Sequence, residues 1–330
     1  MQRRTVLVSA ATFTSVTTAW WRPVRAQERV ARVGFLSWQD SGRIYEMTLQ
    51  GFVDGLREEG FVQGKNVELL RRSAGNDAAR FKPLARELAL SKVDVFFAPA
   101  TPMATAAWNA DKRTPIVVAT IMDPVELDFV KSLARPGTRV TGVTTLSDDL
   151  TLKRLSLLLE MVPGLKRLGV VVDESVVEAC KQEIDHTQVA AKKLGLTLQM
   201  VQVDRPERLE AGFRKLVDAK AQAVISTLLS TRNDLEKDYA EAALRFRLPS
   251  MFEIEDAARL GGLMSYGPDM KDVFRRAGRY VGRVLKGGNP AEMAMEQPRE
   301  FKLVLNQRTA LALGLTIPQS LLLRADEVIR

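Results

Sequence analysis

The chain has 330 residues, a length for two domains rather than one small one. At 46% hydrophobic and 27% charged residues it has the composition of an ordinary globular protein, not of a disordered or fibrous one. The formal charge is +8, but removal of residues 1–26 takes away four arginines and leaves a dispersed +4, too weak an excess to argue for nucleic acid.

Arg3 and Arg4 make a basic start, Val6 to Trp21 is mildly apolar, and Val24-Arg25-Ala26 precedes Gln27 as a small-residue cleavage site. Residues 1–26 are therefore predicted to be a secretory signal peptide. The arginine pair also resembles a twin-arginine signal, though without its usual flanking Ser and Phe, so Sec and twin-arginine export both stand. No later apolar run reaches the roughly 18 residues of a membrane span. Cys180 is the only cysteine, so no intrachain disulfide forms and no lipid-bearing cysteine sits at the cleavage site. An exported, unanchored chain suits the periplasm.

The first mature strand is predicted over Arg29 to Ser37. A helix follows from Tyr45 to Glu59, with Met47, Phe52, Val53 and Leu56 on one face and Gly60 at its end. Asn66 to Arg71 reads as a strand and Phe81 to Leu90 as a helix. Val93 to Ala98 and Ile116 to Ile121 are short apolar runs bounded by proline, as strands buried on both faces are. Thr101-Pro102 and Asp123-Pro124 follow them. Each pair puts a polar side chain at an expected helix N-cap and proline at the first helical position. Successive turns of one open parallel sheet place such groups on its carboxyl edge, where α/β sheets bind ligands.

Arg139 to Thr145 reads as a strand leaving the first unit, after which the βα pattern starts again. The second run has helices over Asp149 to Met161, Val177 to Leu194, Arg208 to Asp218 and Asn233 to Phe246. Its strands are predicted over Leu168 to Val172, Thr197 to Val203, Ala221 to Ser226, Ser250 to Phe252 and Gly261 to Gly267. A long helix follows from Pro268 to Lys286, with Val273, Ala277, Tyr280, Val281 and Leu285 inward. Phe301 to Leu305 is a last strand, with short helices at Gln307 to Leu313 and Pro318 to Arg324. The alternation predicts two doubly wound parallel-sheet α/β lobes.

Several segments together resemble the periplasmic ABC-transporter substrate-binding proteins, some of whose members are linked to tryptophan or tyrosine. They are Val33 to Ser37, Gly55 to Val67, Ser132 to Gly137, Val140 to Val143, Gly261 to Gly267, Tyr280 to Gly287 and the tail from Ala312 to Glu327. The resemblance runs over the whole mature chain. It implies a type I periplasmic binding protein, a Venus flytrap whose two lobes are joined by a hinge of crossover strands. It also implies an N-terminal lobe of residues 28–144 and 268–298 and a C-terminal lobe of 145–267 and 299–330. A small solute, such as an amino acid or another small carboxylate, would be captured between them and passed to an inner-membrane ABC permease. The chain would act as a monomer, without cofactor, catalysis, nucleic acid or a membrane span of its own. It departs from its relatives at Asp173-Glu174, where an Asn-rich turn is common, and at the bulky Met103 and Trp108.

Eight residues are the ligand-site candidates, each with a plainer alternative. Ser37 and Trp38 close the first strand as cleft residues, or as a capped turn beside an exposed Trp. Thr101, Pro102 and Asp123 contact ligand from helix N-termini, or are caps worth about 1 kcal/mol each. Asp173 and Glu253 end strands of the second lobe and face a ligand ammonium, or are solvated. Tyr266 is a stacking platform or a packed core residue. His186, the only histidine, reads as a solvated helix residue, and no second His or Cys is near enough to make a zinc site. No P-loop, dinucleotide fingerprint or nucleophile elbow occurs. Two rivals remain on the same frame, a secreted hydrolase or isomerase using cleft carboxylates and a ligand-sensing domain.

Overall fold

Alternation along the strands decides the layers. The computed structural model describes residues 29–145, 148–173, 181–203, 205–226 and 235–330. The expected signal peptide and Cys180 lie outside them. The first run comprises β1 (Ala31–Ser37), α1 (Arg43–Glu58), β2 (Val67–Ser73), α2 (Phe81–Leu90) and β3 (Val95–Phe97), then α3 (Thr101–Ala110), β4 (Ile116–Met122) and β5 (Val140–Thr145). These strands form a parallel sheet in the order β2-β1-β3-β4-β5. Val95, Phe97, Val117 and Ala119 enter one core, and Phe96, Ile116 and Val118 enter the other. Successive side chains thus meet helices on opposite faces, and for this reason the strands read as unbroken apolar runs.

The second run begins with α4 (Asp148–Met161), β6 (Arg167–Asp173), α5 (Lys181–Lys193), β7 (Thr197–Val203) and α6 (Pro206–Asp218). It continues with β8 (Ala223–Ser226), α7 (Glu236–Arg245), β9 (Ser250–Phe252), α8 (Glu255–Arg259) and β10 (Met264–Pro268). Val171 and Val224 face one core, Val170, Val172 and Ile225 the other. The chain ends with α9 (Met270–Leu285), β11 (Phe301–Asn306), α10 (Gln307–Leu313), α11 (Gln319–Leu322) and β12 (Glu327–Ile329). The second sheet runs β12-β11-β10-β9-β8-β6-β7. Both sheets are parallel as the alternation predicts, except that β10 and β11 pair antiparallel. The reason is topological: the chain leaves the sheet after β10 and re-enters from the opposite direction at β11.

Between these strands α9 packs on the first sheet. Val273, Phe274, Ala277, Tyr280 and Val281 share a core with Phe35, Phe52 and Phe97. The approach of α9 to α1 is set by glycines. A Cβ at Gly55 would lie 1.8 Å from the Arg275 carbonyl oxygen, and one at Gly278 2.1 Å from that of Phe52. Ion pairs flank the seam, Arg275 with Glu58 at 2.9 Å and Lys286 with Glu59 at 2.7 Å. The hydrogen bond from Lys286 holds the Glu59 carboxyl below its usual range, against the opposing effect of burial. After α9 the chain runs beside β5, where the Thr144 amide donates to the Glu296 carbonyl at 2.9 Å, before it enters β11. The chain thus passes between the sheets three times, after β5, after β10 and before β11.

Candidate functional site

The carboxyl edge of the second sheet carries a cluster of shielded polar groups. β8 ends at Ser226, and β9 ends one residue before Glu253. β10 approaches this turn so closely that a Cβ at Gly267 would stand 1.8 Å from the Glu253 carbonyl oxygen. Only glycine fits there, so the backbone of Glu253 is pinned against the crossing strand. Arg154, from α4, then joins the two strands. Its Nη1 donates to Glu253 Oε1, and its Nε donates to the Tyr266 carbonyl at 2.8 Å. Both side chains of the ion pair are largely shielded, at 13% and 16% exposure. A planar guanidinium gives both contacts at once, which a lysine would not.

Glu183, from the first turn of α5, faces the same place. It is 4% exposed and its Oε2 has no hydrogen-bond partner. Burial pushes its carboxyl well above the usual carboxylate range; the charge of Glu253 adds to this, and Arg154 opposes it. Thr151, Leu155, Thr187, Ile225, Ser226 and Met251 complete the lining of a small pocket around these groups. Every lining residue belongs to the second lobe. The neighbouring Ile184 packs against cores of both lobes, so the pocket lies at their interface.

Of the eight expected residues, the structure brings Glu253 and Tyr266 together, through Arg154. The Tyr266 ring is half-buried and stacks on Phe301 at 5.9 Å between centroids. Asp173 ends β6, in register with Val203. The first-lobe candidates do not line the pocket. Ser37 is buried, and Trp38 is buried with its ring edge-on to Phe81 at 4.7 Å rather than exposed. The Trp38 Nε1 has no hydrogen-bond partner. Thr101 and Pro102 are half-buried in the first turn of α3, whose N-cap is Ala100, so the Thr101 hydroxyl caps nothing. Asp123 is exposed at a left-handed φ of 31° and begins a turn instead of a helix. Its Oδ1 accepts from the Glu126 amide at 3.1 Å, as short polar side chains do in turns.

Arg154 and Glu183 escaped the sequence reading, yet each leaves a trace. Arg154 lies four residues from both Leu150 and Leu158, on the apolar stripe of its helix. Glu183 shares the buried side of α5 with Thr187, Ala190 and Ala191. A charge inside an apolar stripe is the usable signal in both cases.

The lobes also meet away from the pocket. Arg43, opening α1, pairs with the buried Asp256 of α8 at 3.2 Å. Arg259 holds the same carboxylate at 3.1 Å and reaches Glu327 at 2.5 Å. Arg43 is exposed, so the pair is screened and contributes about 0.2–1 kcal/mol. Arg43→Ala is expected to loosen the lobes measurably at low salt only. Small-angle scattering should show a larger radius of gyration for the variant at low salt, and convergence with the parent at high salt. Identical profiles at both would mean the pair does not bias closure.

Among the described residues no cluster of three His, Cys, Asp or Glu side chains could hold a metal ion, and no helix is long and apolar enough to cross a membrane. A family model described as ABC transporter substrate binding protein matches residues 41–329. A curated tyrosine-binding protein of Clostridioides difficile is 27% identical over 81% of this chain and 76% of its own length. Among solved structures, an ABC domain of Streptococcus pneumonia in complex with L-Trp superposes with a TM-score of 0.82 at 26% identity, covering 91% of this chain and 99% of that one. The ligand-free, open structure of a Clostridium difficile substrate binding protein with adhesive properties covers the same shares at 25% identity, but with a TM-score of 0.64. The better match to the ligand-bound structure agrees with the contacts between the lobes seen here.

Proposed function

The chain belongs to the ABC transporter substrate binding protein family, and from that premise we propose that it captures an aromatic amino acid, or a related small carboxylate, between its lobes and delivers it to an ABC permease. The observation that carries the reading is the shielded Arg154–Glu253 pair, pinned at the strand ends of the second lobe beside the lobe interface. An open sheet presents ligand sites at this edge. Charged groups held there in advance can bind a solute without reorganising, and lobe closure then excludes water.

In this reading the protein works in the periplasm as a monomer, after loss of residues 1–26. Its lobes are discontinuous, 28–144 with 268–298 and 145–267 with 299–330; the packing of α9 on α1 supports that division. In this reading Ser37, Trp38, Thr101, Pro102 and Asp123 belong to the first-lobe side of the cleft, outside the small pocket, and Asp173, Glu253 and Tyr266 to the second-lobe side. Binding, not turnover, is the task.

The test is a melting and calorimetric screen of residues 27–330 against tyrosine, tryptophan, phenylalanine and small carboxylates. A ligand at one hundred times its Kd stabilises the folded state by about 2.7 kcal/mol, which a melting curve resolves. No shift with any member would end the amino-acid reading. Chemical change of a bound member would replace capture by catalysis.

A further inference from the structure

A row of alternating charges crosses the second lobe and has both its ends on the first. It starts at Asp269, the N-cap of α9, whose Oδ2 pairs with Lys302 of β11 at 2.7 Å. Lys302 reaches Glu255 of α8 at 3.5 Å, and Arg259 of the same helix holds Glu255 and Asp256 at 3.1 Å each. Arg43 of α1 ends the row on Asp256 at 3.2 Å. The two ends differ. Lys302 pairs in register with Gly267 of β10, and Asp269 follows β10 directly, so this end stays together however the lobes turn. The other end joins α1 to α8 and parts when the lobes separate. Asp256 is 1% exposed; both arginines meet its Oδ1, and its Oδ2 has no hydrogen-bond partner. Among the described residues these two are its cations. Glu236 of α7 is buried and brings none; burial and the charge of Asp256 push its carboxyl well above the usual carboxylate range. Asn306 Nδ2 donates to the Ala258 carbonyl at 2.9 Å, which keeps α8 from swinging the Asp256 carboxylate into water.

We propose that the two arginines on Asp256 set the balance between open and closed lobes in opposite senses: Arg43 favours closing, and Arg259 makes opening tolerable. The device acts on closure itself and holds for any solute, so it goes beyond the capture reading. Opening carries Arg43 away with the first lobe. Arg259 sits one helical turn from Asp256 on α8 and stays, so the buried carboxylate keeps one cation in both states. Without Arg259, opening would leave that carboxylate alone out of water, which costs far more than breaking an exposed pair. Arg259 is itself held by a fork on Glu327 of β12, at 2.5 Å and 3.4 Å, so the last strand of the chain keeps it in place. Neither arginine lines the pocket, and both act by positioning the lobes.

The experiment measures the distance between the lobes in the protein without added solute. Nitroxide labels are placed by Leu90→Cys on the first lobe and Leu323→Cys on the second, both highly exposed, in a Cys180→Ser background. Double electron–electron resonance then reads the open and closed populations, with circular dichroism as the folding control. Arg43→Ala should move the closed-to-open ratio toward open by up to about fivefold, the most that an exposed pair supplies. Arg259→Met should move it toward closed by about fivefold or more, because a stranded buried charge outweighs an exposed pair. Arg259→Gln, which removes the charge but keeps a hydrogen-bond donor on α8, should move the same way and decides the matter if the Met variant does not fold. Asp256→Asn should cancel the effect of either Arg259 variant, since no charge is left to strand. Arg259 variants that open the lobes or leave them unmoved overturn the proposal, and so does a shift that survives Asp256→Asn. A parent with one population that neither arginine variant moves overturns it as well. In each of these cases capture stands, because the measurement contains no solute.

Discussion

Arg154→Ala should unfold the second lobe at markedly lower denaturant and abolish solute binding together. The substitution strands Glu253 beside Glu183, two acids largely out of water with no cation between them. Removing one partner of a shielded pair costs about 3–5 kcal/mol, because the survivor stays buried and uncompensated. It also frees the Tyr266 carbonyl, so the tie between α4 and β10 is lost. Arg154→Lys is expected to recover part of the stability but not both contacts. The double change Arg154→Met with Glu253→Leu separates the two effects. Apolar replacement of a buried pair is often neutral for stability, so this variant should melt near the parent while binding no solute. Urea unfolding and calorimetry on the set decide the matter. A double variant that still binds would place the solute elsewhere.

Gly278→Ala should lower stability by about 3 kcal/mol or more. Propensity alone gives the opposite sign, since replacing a mid-helix glycine by alanine ordinarily gains about 0.5–1 kcal/mol. Packing wins because the new methyl would lie 2.1 Å from the Phe52 carbonyl oxygen and 3.0 Å from the Leu56 nitrogen. Those atoms are helix backbone and do not rotate away, so α9 must move off α1 as a body. The displacement would open the core shared by Phe52, Val273, Ala277 and Val281. Overpacking of a well-filled core costs typically 1–3 kcal/mol, and rigid backbone on the far side puts this site at the upper end. Chemical denaturation measures it; a variant as stable as the parent would show the seam to be slack.

The layers were legible because both sheets are covered on both faces, which forces apolar runs at Val95, Phe96 and Phe97 and again at Val170, Val171 and Val172. Glycine marked the ends of helices and proline the ends of strands. The antiparallel β10–β11 pair was not legible, because strand direction depends on where the chain returns from and not on the strand's own residues. The site was half legible. Glu253 stands where strand-end reasoning looks, directly after a buried run. Arg154 and Glu183 stand on helices, and helix residues reach a strand edge only through tertiary packing. Asp123 shows the converse limit: Asp before Pro suits a helix start and a turn equally, and backbone geometry chose the turn.

The seam between α1 and α9 also orders events in time. Arg275 and Glu58, which face each other across it, are 217 positions apart in the chain. Phe35, Phe52 and Phe97 therefore have no finished core until the residues of α9 have been made. The stretch from α4 to β10 is continuous, and its strand pairings are short in sequence. A vectorially produced chain meets the loop-closure cost of the first lobe last, when nearly all of its length is available. The segment synthesised first is thereby the one that stays open longest, and its exposed phenylalanines are what a holding chaperone would grip.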